Sequence, residues 1–153
     1  YAFQVAWMLN GVIKNGTGKS LKNIDEYIGG KTGTTNDNKD AWFIGFSSNL
    51  VVGVYVGYDM PVSLGDKETG GKVSAPIWGK FMKQALKKYP SSPFSIPENI
   101  EMVKIDALSG LLPNTKTSRS IYEAFITGTA PLNSEILSNE KVIDLKPLDD
   151  TIY

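Results

Sequence analysis

Three strand-like runs follow one another closely in the first half of the chain, and they restrict the fold more than any other feature. They cover residues 28–35, 41–47 and 50–58. The first is rich in Gly and Thr, and the other two are rich in the β-branched and aromatic residues typical of strands. Ser48 and Asn49 suit a tight hairpin turn between the last two runs. We therefore expect antiparallel neighbours in one sheet.

An amphipathic helix is predicted on each side of these runs. Residues 2–14 carry apolar side chains at helical spacing. Ser74 and Pro76 are typical of a second helix start, with Ser74 as the capping hydroxyl. Such apolar faces need a sheet to cover, so the predicted fold class is α+β, with helices flanking an antiparallel sheet. The apolar stripe of the second helix comprises Ile77, Trp78, Phe81, Met82, Ala85 and Leu86.

The remainder of the chain is divided by composition. Three prolines make residues 89–97 a stiff linker. Residues 100–105 alternate well enough for one more strand, and Ser118 to Phe125 is predicted to be a short helix. The predicted organisation has three parts: the main domain at 1–90, an extension packing on it at 91–131, and a polar tail at 132–153.

The composition excludes several classes of function. Lys plus Arg and Asp plus Glu both number 16, so no net charge attracts nucleic acid, and we expect no nucleic-acid partner. The absence of Cys and His removes cysteine nucleophiles, thiolate zinc sites, disulfides and any Ser-His-Asp triad. No cofactor or metal is predicted. The longest apolar run, residues 50–58, is much shorter than the roughly 20 residues that span a bilayer.

Three short motif matches are not supported by their sequence context. Residues 18–20 read G-K-S, the end of a phosphate-binding P-loop, but Ile13 stands where that motif needs its first Gly. Ser138 begins an S-x-x-K match and Ser47 an S-x-N match, the patterns of some serine acyl-transfer enzymes. The S-x-x-K match lies in the acidic tail and the S-x-N match in the predicted hairpin turn. None of the three matches is expected to carry function.

The glycine-rich run at residues 29–35 is a stronger candidate for a site. The simplest interpretation is that this run is an edge strand without a functional role. Glycine weakens a strand, however, and often marks a place where a ligand or another backbone approaches closely. Here three glycines flank one Lys and three Thr, which makes a strand open on one side and lined with donors. Such a strand is suited to bind an extended peptide that ends in a carboxylate.

Four separated blocks of the sequence resemble the class A (bifunctional) penicillin-binding proteins. They are residues 30–46, beginning with the K-T-G motif, and residues 51–58, 68–78 and 123–131. The resemblance implies a partial penicillin-binding/serine β-lactamase-like transpeptidase fold. It also implies a D,D-transpeptidase that cross-links peptidoglycan stem peptides through a serine acyl-enzyme and is acylated by β-lactam antibiotics. The parent protein is then expected at the outer face of the cytoplasmic membrane, with its anchor outside this chain.

The same resemblance assigns roles to the glycine-rich strand. Lys31 is expected to keep the site electropositive and to assist proton movement. The hydroxyls of Thr32 and Thr34 are expected to hold a carboxylate, and the Thr34 N–H to be one of two oxyanion-hole donors. Gly33 leaves room for the ligand, and Thr35 completes the substrate-binding stretch.

Three residues outside this strand are not expected to be catalytic. Trp42 is expected in the core, while Asp40 and Glu68 are expected to fix loops beside the site.

The chain departs from the family pattern in one respect. In the family, S-x-x-K and S-x-N precede K-T-G, and here they would have to lie before Tyr1. We therefore expect the chain to be inactive alone and to depend on a preceding part of the same polypeptide. A non-catalytic peptide- or glycan-binding module on the same scaffold remains the alternative, and a P-loop nucleotide enzyme is a distant third.

Overall fold

The computed structural model describes residues 1–131, which fall into two compact units. The first unit runs from Tyr1 to Ser95, and the second begins at Ile96. The first contains two helices and a three-stranded sheet, and the second contains a two-stranded sheet. The extension predicted at 91–131 and its packing on residues 1–90 stay a prediction. The elements are α1 (Ala2–Asn15), β1 (Gly29–Thr34), β2 (Asp40–Phe46), β3 (Val51–Gly57), α2 (Ser74–Lys88), β4 (Ile100–Asp106) and β5 (Ser120–Ile126).

The sheet of the first unit has the order β1–β2–β3, and both pairs are antiparallel. This arrangement confirms the predicted strands and the α+β fold class. The turn between β2 and β3 closes with a hydrogen bond from the Ser47 N–H to the Leu50 carbonyl oxygen at 2.8 Å. The S-x-N match at residue 47 is thus part of a hairpin turn. Residues 138–141, the S-x-x-K match, lie outside the described residues.

Helix α2 covers one face of this sheet. Phe43 meets Trp78 edge to face, with ring centroids 5.1 Å apart, and neither side chain is exposed. The Trp78 indole N–H donates to the Val52 carbonyl oxygen at 3.0 Å, so its polar atom is satisfied as burial requires. These contacts fix the distance between helix and sheet. The buried cluster around them comprises Ile13, Leu21, Ile28, Phe43, Ala75, Trp78 and Met82.

Two predictions about α2 are wrong. Ser74 does not cap the helix, because its buried hydroxyl donates to the Ala41 carbonyl oxygen at 2.7 Å and ties the helix start to β2. Ile77 and Phe81 are not in the core, since about half of each side chain is exposed. The buried row of the helix is centred on Trp78, and the predicted apolar stripe is wider than that row.

The second unit is an antiparallel pair, with Ile100 opposite Ile126 and Asp106 opposite Ser120. The strand predicted at residues 100–105 is confirmed as β4. The short helix predicted from Ser118 to Phe125 is wrong, because this segment forms β5. Its β-branched and aromatic residues favour a strand once β4 provides a partner.

The loop between β4 and β5 is organised by Asp106. Its carboxylate accepts hydrogen bonds from the N–H groups of Leu108 at 2.8 Å and Ser109 at 3.0 Å. The Ser109 N–H first, then the Thr117 hydroxyl and the Leu108 N–H, hold the pKa of Asp106 below its usual value. Gly110 adopts a positive φ of 72° in the same turn, a conformation that favours glycine.

Candidate functional site

The glycine-rich strand β1 lies at one edge of its sheet and, within residues 1–131, pairs with β2 alone. The Thr35 N–H donates to the Asp40 carbonyl oxygen at 3.1 Å. Bonded and non-bonded pairs alternate along an antiparallel ladder. The N–H of Gly33 therefore points at β2, whereas the N–H of Thr34 points away from β2. The strand thus presents backbone donors and acceptors along an edge that β2 does not use.

The predicted site residues divide between the two faces of the sheet. Thr32 lies opposite Phe43 in the register, so its side chain shares the face that α2 covers, and Thr34 follows on the same face. Lys31 belongs to the other face by this alternation and is exposed. Its ammonium donates to the Thr32 carbonyl oxygen at 3.3 Å, and that carbonyl lies on the unused edge. The cation of Lys31 therefore lies at this edge, beside the Thr32 carbonyl oxygen.

The loop between β3 and α2 lies directly on this strand. The Gly70 N–H donates to the Thr34 hydroxyl oxygen at 3.0 Å. A Cβ at Gly70 would overlap the carbonyl oxygens of Gly33 and Trp42, so only glycine fits between loop and strand. The loop backbone therefore lies over the Gly33–Trp42 pair, on the face that carries the threonine hydroxyls.

A second connection, between α1 and β1, reaches the same face. The hydroxyl oxygens of Thr17 and Thr32 lie 3.0 Å apart and share a hydrogen bond. The connection is held to the end of α1, because the N–H groups of Gly16 and Gly18 both donate to the Val12 carbonyl oxygen, at 3.0 and 3.1 Å. Each threonine hydroxyl of β1 thus has a partner outside the strand.

The turn between β1 and β2 is strained and anchored. Asp37 and Asn38 adopt positive φ angles of 61° and 51°, which non-glycine residues rarely do. Asn38 compensates through its partners: its carbonyl oxygen accepts from the Leu64 N–H at 2.8 Å, and its amide donates to the Gly65 carbonyl oxygen at 3.3 Å. The turn and the β3–α2 loop therefore hold each other beside the end of β1.

Asp40 and Trp42 line the opposite face. The Tyr55 hydroxyl donates to the Asp40 carboxylate at 2.9 Å, and this hydrogen bond raises the pKa of Tyr55. The Asp40 N–H donates to the Thr35 hydroxyl oxygen at 2.8 Å, so Asp40 fixes the end of the turn. Trp42 is 41% exposed and lies 4.8 Å from Tyr55 between ring centroids. The prediction that Trp42 belongs to the core is wrong, because β2 alternates and Trp42 faces away from α2.

Glu68 lies in the β3–α2 loop and accepts a hydrogen bond from the Lys72 ammonium at 2.7 Å. Within residues 1–131, no group of three or more His, Cys, Asp or Glu side chains is placed to hold a metal ion. Neither helix of the described part is both long and apolar enough to cross a bilayer. Residues 19–21 form a short 3₁₀ turn after α1, not the strand-loop-helix of a phosphate-binding loop.

Two residues of this arrangement are not identified by sequence reasoning. Gly70 belongs to a block that resembles the family but has no role assigned by that resemblance, and Thr17 lies outside all four blocks. The G-T-G pattern at residues 16–18 is a usable signal, because glycines on both sides of a Thr permit a close approach of backbones.

Comparison with known proteins agrees with the fold class. The family model described as "Penicillin-binding protein 1A, C-terminal domain" matches residues 96–133. Penicillin-binding protein 1A of Rickettsia conorii is 42% identical over 148 residues, which are 97% of this chain and 18% of the relative. That of Pseudomonas aeruginosa is 41% identical over 133 residues, 85% of this chain and 16% of the relative. The similarity thus extends well beyond the family-model match into the first unit.

A solved structure shows the same fold. The crystal structure of penicillin-binding protein 1A from Haemophilus influenzae superposes with a TM-score of 0.74 at 39% identity, over 86% of this chain and 21% of that one. The chain therefore belongs to the class A penicillin-binding proteins. These three relatives all carry the name penicillin-binding protein 1A, and the chain spans about a fifth of their length or less.

Proposed function

We propose that this chain supplies the K-T-G strand of a peptidoglycan D,D-transpeptidase. The observation that carries the proposal is the unused edge of β1, where the Thr34 N–H points away from β2 and the Lys31 ammonium lies beside the Thr32 carbonyl oxygen. An extended peptide can add to such an edge as a further strand. Membership of the penicillin-binding proteins supports the D-Ala–D-Ala end of a peptidoglycan stem peptide as that ligand, and β-lactam antibiotics as its mimics.

The proposed reaction is an acyl transfer through a serine that lies outside this chain. The serine oxygen attacks the carbonyl carbon between the two D-Ala residues, the C–N bond breaks, and the terminal D-Ala leaves with the proton on its amine. An amine of a neighbouring stem peptide then attacks the ester, forms the cross-link and releases the serine. A β-lactam forms an ester with the same serine when the C–N bond of its ring breaks, and the opened ring stays attached.

The residues of β1 have separate roles in this proposal. The Thr34 N–H stabilises the oxyanion that develops on the attacked carbonyl, a type of interaction worth about 10²–10³ in rate. The hydroxyls of Thr32 and Thr34 donate to the ligand carboxylate. Gly33 leaves the Lys31 face of the strand without a side chain beside the ligand, Lys31 provides positive charge and assists proton movement near the serine, and Thr35 supports the end of the stretch through Asp40.

The proposal requires a longer polypeptide. The serine, its lysine and a membrane anchor at the outer face of the cytoplasmic membrane are assigned to the part that precedes this chain, and no cofactor takes part. Residues 1–153 alone are then expected not to react with penicillin. If a non-catalytic binding module is the true function, the upstream sequence will lack S-x-x-K and S-x-N in that order.

The test is covalent labelling of the full-length protein by a fluorescent penicillin. We expect strong labelling of the wild type and a loss of about 100-fold or more in labelling rate for Lys31→Ala, because a positioned proton-transfer group contributes about 10²–10⁴. Lys80→Ala is the matched control, since Lys80 is an exposed lysine on α2 in the same unit. A folded wild type that takes up no label excludes the transpeptidase.

A further inference from the structure

The two threonine hydroxyls of β1 are each paired with a group from a different loop. The Thr34 hydroxyl oxygen accepts from the Gly70 N–H, and the Thr32 hydroxyl shares a hydrogen bond with the Thr17 hydroxyl, both at 3.0 Å. These contacts limit the directions in which the hydroxyl hydrogens can point.

The direction follows from the donors and acceptors available. A hydroxyl has one hydrogen to donate, an amide N–H only donates, and a carboxylate only accepts. Because Gly70 occupies an acceptor position of Thr34, the Thr34 hydrogen remains available for another acceptor. A ligand carboxylate can then accept that hydrogen. The Thr32–Thr17 contact is ambiguous, since either oxygen can be the donor.

We propose that Thr17 is a positioning residue for carboxylate recognition. Its hydroxyl donates to the Thr32 oxygen, which leaves the Thr32 hydrogen to donate to the ligand, as Gly70 does for Thr34. This inference rests on the proposed function, since it assumes a ligand with a carboxylate on the threonine face. Thr17 does not touch the reacting atoms.

The packing around Thr17 suits this role. A Cβ at Gly71 would lie 3.1 Å from the Thr17 carbonyl oxygen and 3.4 Å from the Thr32 methyl carbon, so the β3–α2 loop packs against the Thr17 backbone and the Thr32 methyl group. The connection that carries Thr17 is also tied to α1 through the Val12 carbonyl oxygen. The Thr17 hydroxyl is therefore held in place beside Thr32, although the residue itself is exposed.

The test separates carboxylate positioning from a structural effect by changing both protein and ligand. The full-length protein carrying Thr17→Val or Thr17→Ser is acylated by a fluorescent penicillin and by its methyl ester, which lacks the charged carboxylate. For Thr17→Val we expect a loss of up to about tenfold with the free acid, because the Thr32 hydrogen is then no longer directed at the charged carboxylate. With the ester we expect wild-type and Thr17→Val rates to agree within about twofold, and Thr17→Ser to restore the free-acid rate.

Ser20→Ala is the matched control, because it removes an exposed hydroxyl from the same connection. It should leave both rates unchanged. An equal loss of Thr17→Val on both ligands assigns Thr17 a structural role and overturns the inference. The inference is also overturned if the wild type is readily acylated and Thr17→Val reacts with the free acid at the wild-type rate. In that case the proposed function survives. If penicillin does not acylate the wild type, both the proposed function and the inference about Thr17 are rejected.

Discussion

The two hairpins of the chain, β1–β2 and β4–β5, are held in opposite ways. The first depends on partners far away in sequence: Gly70 reaches Thr34 across 36 residues, and Asn38 meets Gly65 across 27. The second is organised by Asp106, which binds N–H groups two and three residues ahead of it. Long-range supports let a strand keep an edge unused, because groups from other loops hold it on one face. Local supports only close a loop.

The largest effect expected from this difference is on acylation. In Thr34→Pro the missing N–H faces away from β2, so the ladder is kept. Acylation of the full-length protein by penicillin should fall by about 10²–10³ because one oxyanion donor is lost. Thr34→Val, which loses the hydroxyl but keeps the N–H, should lose only about tenfold.

Gly33→Pro is the matched counterpart of this change. Its lost N–H points at β2, so it should disrupt the sheet itself, which circular dichroism and thermal unfolding can measure. Equal acylation losses for Thr34→Pro and Thr34→Val would contradict the assignment of the N–H.

A smaller effect, on stability, is expected when a methyl group is added at Gly70, one of the long-range supports of β1. Gly70→Ala places a methyl group against the carbonyl oxygens of Gly33 and Trp42, and we expect the free energy of unfolding to fall by about 1–3 kcal/mol. Gly53→Ala is the control within the same sheet, because its nearest contact is the Ile44 side chain at 3.9 Å. Urea unfolding of both variants measures the difference. Similar stabilities would show that the β3–α2 loop moves freely off β1.

The smallest effect is expected in β4–β5, and it depends on pH. The pKa of Asp106 lies below its ordinary value of 3.8, so its carboxylate stabilises the hairpin above that pH. The contribution is lost as the pH falls through the lower pKa of the folded state. Asp106→Asn keeps an oxygen acceptor but does not titrate. We therefore expect the backbone amides of residues 100–106 and 120–126 to lose protection against hydrogen exchange between pH 6 and pH 3. After correction for intrinsic rates, this loss should be larger in the wild type than in the variant.

Glu123 acts in the opposite direction on the same hairpin. Burial raises its pKa above 4.5, so protonation of Glu123 favours the folded hairpin as the pH falls. Because Glu123 is present in both proteins, the comparison between wild type and Asp106→Asn cancels its contribution. An identical pH response of the two proteins would assign the pH dependence to other groups.

The elements of the first unit are predictable from the sequence because their signals are local. The runs predicted at 28–35, 41–47 and 50–58 are strands that differ by one residue at each end, since apolar alternation and short turns set their limits. β5 is not predictable in the same way, because its seven residues resemble a short helix until β4 provides a partner. The exposure of Trp42 is not predictable from the sequence, because tertiary packing decides which face of the sheet α2 covers.

The site is predictable only as a strand. Lys31, Thr32, Gly33, Thr34 and Thr35 are indicated by composition and by resemblance, and their functional roles stay predictions. The groups that orient the hydroxyls come from loops whose approach to β1 is not encoded in any local pattern. Thr17 is 15 residues from Thr32, and nothing between them indicates contact.

The contact between Gly70 and Thr34 has an evolutionary consequence. Its donor is a main-chain group, so no replacement at residue 70 other than proline can remove that N–H, and steric overlap with the Trp42 and Gly33 carbonyl oxygens selects against larger residues there. Thr17, in contrast, can lose its hydroxyl by a single replacement. If antibiotic pressure acts on this strand, inherited tolerance should arise through side chains such as Thr17 and leave Gly70 unchanged.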